Sequence, residues 1–240
     1  AVWTTPEPES LLAALEPAAL EEFSATQTGP FASNLAESGA FARVEAGAGA
    51  PDTQFHVAPV HIVEEGMGDP QAHGVWISPC LLTPDSRGSV GLASNDPTAK
   101  PIVRTGFFSA PEDMPRMVAA LRLMEEICAQ PAMRPYCAEP FTAPAGESDE
   151  DLRAHVAATA FPIYHPVGTC AIGSVVDDEL RVEGLEGLRV VDASVLPVVP
   201  RGNTNAPVIA IAERAADLIR GATPLGAEGA VDERAEQVSH

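Results

Sequence analysis

Two short stretches hold the residues best suited to chemistry: "YHPVGTC" at 164–170 and "PRGNTNAP" at 200–207. In the first, Pro166 restricts His165 to an extended backbone and Gly168 permits a turn or a close approach, so the imidazole is fixed on a rigid loop. A pre-placed imidazole shielded from water favours its neutral form and can accept a hydroxyl proton. The competing role is that of a buried structural histidine bonded to a backbone carbonyl. In the second stretch, Asn203 and Asn205 each offer an amide donor and acceptor on a loop that feeds a helix. The first N–H groups of that helix are free to meet an electron-rich partner. Simple capping of the helix by these asparagines is the competing role here.

The elements that must position the two loops follow from periodicity. "LRVVDASVLP" reads as a compact apolar strand that reaches Asp192, of the kind buried in a parallel sheet. "APVIAIAERAADLIRG" reads as a helix with Pro207 in its first turn and Gly221 just past its end. Strand, loop and helix make half of a βαβ unit, as in a doubly wound nucleotide-binding domain, yet no G-x-G-x-x-G lies between a strand and a helix. Upstream, "DTQFHVAPVHIV", "GVWISPCLL", "GSVGLAS" and "PIVRTGFF" alternate apolar and polar residues between turn formers, which predicts antiparallel strands across 52–108.

Met117, Leu121, Met124 and Cys128 form the apolar stripe of a helix, and that stripe reads as core packing. Ser148, with Asp151 three residues on, starts another helix, on which His155 takes a surface or half-buried position. "SLLAALE" is a short helical pattern that Pro17 should end. The chain thus divides into a lead-in region at 1–50, a substrate-binding domain at 51–160, the C-terminal part of a nucleotide-binding domain with both reactive loops at 161–222, and a loose polar tail at 223–240. The fold class is mixed α+β and α/β, an antiparallel sheet flanked by helices plus the end of a Rossmann-like domain.

Composition excludes several function classes. The net charge is −20, spread through "PEPES", "ESDEDL" and "VDDEL", and such a surface repels nucleic acid. No apolar run approaches the roughly 18 residues of a membrane span. The start, "AVWTTPEPES", lacks the basic and apolar regions of a secretory signal. The four cysteines, Cys80, Cys128, Cys137 and Cys170, form no C-x-x-C pair and have no histidine at zinc spacing, so no metal site is expected. Free buried thiols and a Cys128–Cys137 bridge both fit the spacing.

Taken in order, "YHPVGTC", "LRVVDASVLP" and "GNTNAP" followed by "IAERAADLI" resemble the C-terminal signature of the glucose–methanol–choline (GMC) flavoprotein oxidoreductases. The likeness is close over 161–221 and looser over 25–160, where "TGPFASN", "FHVAPV" and "GSVGLAS" are similar to the family's substrate-binding half. It implies FAD as cofactor, His165 as the catalytic base near flavin N5, and Asn203 as its partner. Asp192 and Ala193 match positions that contact FAD, and Asn205, Ala206 and Pro207 match the stretch beside the flavin's pyrimidine edge. The implied reaction is oxidation of an alcohol to an aldehyde or ketone.

The family's dinucleotide-binding fingerprint has no counterpart here, so the resemblance also implies a second polypeptide carrying the N-terminal FAD-binding half, as in a split or cleaved enzyme. His73, Trp76, Phe107 and Phe108 are candidates for the substrate pocket, although each residue type is more often core. With aromatics only 5% of the chain, a cage for a quaternary ammonium is disfavoured and an apolar primary or aromatic alcohol preferred. Oxygen or another acceptor would reoxidise the flavin. Two rival readings are a cyanohydrin lyase of the same fold, which would keep His165 and the flavin without net redox, and a non-catalytic interaction module. The acidic surface and lack of a disulfide framework favour a cytoplasmic location.

Overall fold

A computed structural model describes residues 2–5, 10–62 and 72–222. The tail at 223–240 lies outside them. The described residues form two compact units, one within 1–164 together with 200–202 and one within 165–199 together with 203–222. Among the described residues no helix is long and apolar enough to cross a membrane.

The first unit is built on short strands: β1 (Val2–Thr4), β2 (Ser38–Ala42), β3 (Thr53–Ala58), β4 (Gly74–Leu81), β5 (Ser89–Gly91), β6 (Ile102–Arg104) and β7 (Glu139–Thr142). Five of them make one sheet in the order β2-β3-β4-β1-β7, with antiparallel neighbours throughout, while β5 and β6 pair as a separate hairpin. Strands were expected across 52–108; the sheet also takes β1 and β2 from the lead-in region. Gly74 is required where β1 meets β4, because a Cβ there would lie 2.6 Å from the Trp3 carbonyl and 3.1 Å from His61 Cβ.

Alternation along the strands sorts the residues by face. Trp3, Phe55, Val75 and Ile77 point to the helical side, where they join Val118, Leu121, Met124 and Cys128 of α2 (Asp113–Cys128) and Leu152 and Val156 of α3 (Asp149–Thr159) in one core. The expected stripe is therefore present as packing, with Met117 half-buried at its margin. Ser148 caps α3 by accepting the Asp151 N–H, as its spacing predicts.

Asp113, 1% exposed, fastens the start of α2 to the loop after β4. Its carboxylate accepts the N–H groups of Asp85 and Ser86 at 3.1 and 2.8 Å and pairs with Arg116 at 3.2 Å. Burial pushes this carboxyl up, but the bonds from Ser86 and Asp85 and the Arg116 charge outweigh it and hold the pKa below the ordinary value.

Three local expectations are changed by the structure, the first being His155, expected at the surface or half-buried and found buried. The pattern at Leu11–Leu15 is a 3-10 turn that does end before Pro17, with Glu16 extended at φ −77° and ψ 135°, but Pro17 also opens α1 (Pro17–Thr26). A first-turn proline loses no hydrogen bond, because that N–H has no intrahelical acceptor.

In the second unit, residues 188–197 form no continuous strand. They are held by an antiparallel bridge between Arg181 and Arg189 and by the 3-10 turn Ala193–Val195. An apolar run becomes a regular strand only where neighbours accept and donate along its length, and the segment at 176–182 offers it one bridge. The expected helix is α4 (Asn205–Arg220), closed by Gly221 at φ +68°. Val176, Leu180, Val195 and Ala215 form the small core beneath it.

Two buried histidines make the first unit acid-sensitive. His61 is 3% exposed with both ring nitrogens unbonded, and His155 is 9% exposed; burial lowers the pKa of each from 6.5. The unfolded chain then binds more protons than the folded one, so stability is present above pH 6.5 and lost as pH falls through it toward the folded pKa values. Asp113 and Asp52, with lowered pKa values, withdraw their contribution only below about 3.8. The urea midpoint should fall between about pH 7 and about pH 5.5, with a flatter slope in His61→Phe. A midpoint constant over that window in the unmodified protein would contradict this reading.

Candidate active site

The loop bearing His165 is clipped to the turn that follows Asp192. The N–H groups of Gly168 and Cys170 both donate to the Ser194 carbonyl, at 3.1 and 3.0 Å, and the Ile172 N–H donates to Val195 O at 2.9 Å. Gly168 has φ +91°, and a Cβ there would lie 3.5 Å from Leu196 O, so the conformation and not the space requires glycine. Asp192 sets the turn itself, accepting the Ser194 N–H at 2.8 Å. Tyr164, directly before the histidine, has φ +60°, a left-handed conformation that costs an aromatic residue about 1–2 kcal/mol. Such strain gathers at functional positions.

The second loop supplies both partners of the ring. Asn203 Nδ2 lies 3.0 Å from His165 Nε2, and Thr204 Oγ1 lies 3.2 Å from His165 Nδ1. An amide nitrogen can only donate, so Nε2 accepts, the ring proton resides on Nδ1, and Nδ1–H donates to the Thr204 hydroxyl. The network thereby selects one tautomer and leaves the basic lone pair on the nitrogen beside an amide donor. His165 is half-buried, Thr204 is 9% exposed, and Asn203 is exposed.

Sequence reasoning missed Thr204. Its signal was its place immediately before the helix, where threonine normally caps; here it occupies the N-cap in αR geometry with no side-chain cap bond, because its hydroxyl serves the imidazole. Asn205, Ala206 and Pro207 form the first turn of α4. Helix geometry leaves the N–H groups of Asn205 and Ala206 without intrahelical acceptors, both residues are exposed, and no acidic residue stands in that turn.

The four candidate pocket residues do not share one environment. His73 Nδ1 is bonded to Ser10 Oγ at 2.8 Å. Trp76 lies on the sheet face away from the helices, with its ring stacked 6.5 Å from His56 and 6.4 Å from Phe161. Phe107 is 45% exposed, and Phe108 packs against the helix-side core. His56 and Phe161 escaped sequence reasoning, since only the strand register and the return of the chain at 161 bring them to Trp76.

The GMC oxidoreductase family model matches residues 84–212, more than half of the chain. The chain belongs to the GMC oxidoreductase family. Among curated GMC relatives, an alcohol dehydrogenase [acceptor] of Pseudomonas putida is 41% identical over 78% of this chain and 35% of its own length. An oxygen-dependent choline dehydrogenase of Chromohalobacter salexigens is 41% identical over 91% of this chain and 41% of its own. The chain thus spans 35–41% of these two relatives. Pyridoxine 4-oxidase from Mesorbium loti superposes with a TM-score of 0.76 at 24% identity, over 93% of this chain and 42% of that one. Formate oxidase of Aspergillus oryzae, whose FAD modification has been probed by mutation, superposes with a TM-score of 0.80 at 22% identity, over 92% and 45%. At that identity the two structures show the shared fold.

The tautomer is directly observable. In the neutral ring, nitrogen-15 spectra of His165 should show Nδ1 protonated and Nε2 bare, with Thr204→Ser keeping the pattern and Thr204→Val mixing the tautomers. A wild-type ring protonated on Nε2 would refute the assignment.

Proposed function

We propose that this GMC chain carries the acid–base half of an FAD-dependent alcohol oxidation, with His165 as the base and Asn203 as the group that orients the alcohol oxygen. The observation that carries the reading is the pairing of a bare Nε2 with an amide donor 3.0 Å away. An alcohol placed there gives its hydroxyl proton to Nε2 and receives the Asn203 N–H on its oxygen, replacing one protein–protein hydrogen bond by two to substrate. Thr204 accepts from Nδ1–H throughout, so the ring keeps its orientation as it gains charge. As a positioned base His165 is worth about 10²–10⁴ in rate.

The residues present suit a flavin. The free N–H groups at the start of α4 and the small exposed Ala206 suit its electron-rich pyrimidine edge, with Asn205 and Pro207 beside them, while Asp192 and Ala193 form the turn proposed to contact the same cofactor. FAD supplies the hydride acceptor when bound. The substrate is a small alcohol, with oxygen or another acceptor completing the cycle. Ile209, Ile219 and Val198 are 54, 63 and 52% exposed in the second unit. The FAD-binding half that the family carries before this region would complete the cofactor site, and these apolar side chains are candidates for the surface it covers.

In the flavin-loaded assembly, His165→Ala should slow flavin reduction by an alcohol by about 10²–10⁴. Asn203→Ala should slow it by about tenfold or more, the worth of one hydrogen bond to a group gaining charge. Near-normal reduction in His165→Ala would end the proposal.

A further inference from the structure

Tyr164 is one of six non-glycine residues that hold a positive φ among the described residues. In several of the others the fold itself offsets the strain. Leu180, at φ +65°, is 4% exposed in the core of the second unit, and Phe108, at φ +55°, packs against the helix-side core. Gln27, at φ +59°, closes α1, and its side-chain amide donates to Phe23 O at 2.9 Å. Tyr164, at φ +60°, is 71% exposed, the most exposed of the aromatic and aliphatic residues in this group. Where the following segment needs only the conformation, it carries glycine, as at Gly168, Gly173, Gly184 and Gly187. A tyrosine at 164 thus strains the backbone and contributes no burial to the fold, and strain of that kind points to a use outside it.

Chain order says what that use is. One peptide bond holds the Tyr164 and His165 Cα atoms about 3.8 Å apart, so the tyrosine ring stands beside any molecule that gives a proton to His165. We infer that Tyr164 selects the substrate, packing its ring on the carbon body of an aromatic alcohol; this rests on the reading of His165 as the base. The ring is the operative part, because a flat aryl group can stack on it or meet it edge to face and offers the phenol hydroxyl no acceptor. A short aliphatic alcohol can meet His165 Nε2 and Asn203 without covering the ring. The contact therefore separates the two classes of alcohol and falls on binding more than on the chemical step.

The test compares kcat and KM for benzyl alcohol and ethanol in the flavin-loaded assembly, and the urea midpoint of the chain. Tyr164→Gly should lower kcat/KM for benzyl alcohol relative to ethanol by about tenfold, mainly through KM, the worth of one aromatic contact. Tyr164→Phe should restore the wild-type ratio. The urea midpoint of Tyr164→Gly should lie at or above that of the unmodified protein, since glycine relieves the left-handed backbone. Tyr164→Asn, also at ease in that conformation, should behave as Tyr164→Gly does and decides the matter if the glycine variant does not fold. An unchanged ratio in both variants, an equal loss in Tyr164→Phe, or a lowered midpoint in Tyr164→Gly would overturn the inference. So would an unmodified protein that oxidises ethanol alone or neither probe. His165→Ala keeps the two readings apart: near-normal flavin reduction in that variant removes the base, whereas slow reduction there with an unchanged ratio in Tyr164→Gly removes only the role of Tyr164.

Discussion

The chemistry proposed for this chain rests on an imidazole held at both nitrogens. Asn203 donates to Nε2 and Thr204 accepts from Nδ1, so His165 is fixed in place and in tautomer by two adjacent residues of one loop. A ring held at one nitrogen only would rotate about its remaining freedom and divide its proton between two sites. Held at both, it presents a lone pair at a defined point, and orientation of that kind accounts for much of what a general base contributes.

The segments around the ring support that arrangement. Asp192 shapes a turn, the turn presents the Ser194 carbonyl, and that carbonyl receives two N–H groups from the loop behind His165. The left-handed backbone at Tyr164 and Gly168 bends the chain on either side of the histidine. Opposite, α4 has no side-chain cap bond at Thr204, whose hydroxyl faces the ring instead. The core of Val176, Leu180, Val195 and Ala215 joins these segments, so the machinery sits on a packed support within a single unit.

Much of this was legible in the residues. His165 and Asn203 stood out because Pro166, Gly168 and the double asparagine are expensive choices unless a loop must hold a shape, and their order matched a known signature. Thr204 was hidden because a threonine before a helix has an ordinary explanation, and only the direction of its hydroxyl excludes that explanation. Residues 188–197 read as a strand since apolar content marks burial without revealing whether neighbouring strands are present to pair with it. Pro17 was read only as a stop when it is also a start, an ambiguity inherent in a residue tolerated at one end of a helix and excluded from its interior. β1, β2 and β7 are too short to show a period, and the Trp76 stack depends on register and on a return of the chain that no local pattern encodes.

The most direct test is a crystal structure of the flavin-loaded assembly with a non-oxidisable alcohol analogue. The account predicts one hydroxyl oxygen within hydrogen-bond distance of both His165 Nε2 and Asn203 Nδ2, with Thr204 still bonded to Nδ1. A hydroxyl bound away from that pair, or an imidazole turned from it, would contradict the assignment of His165 as the base.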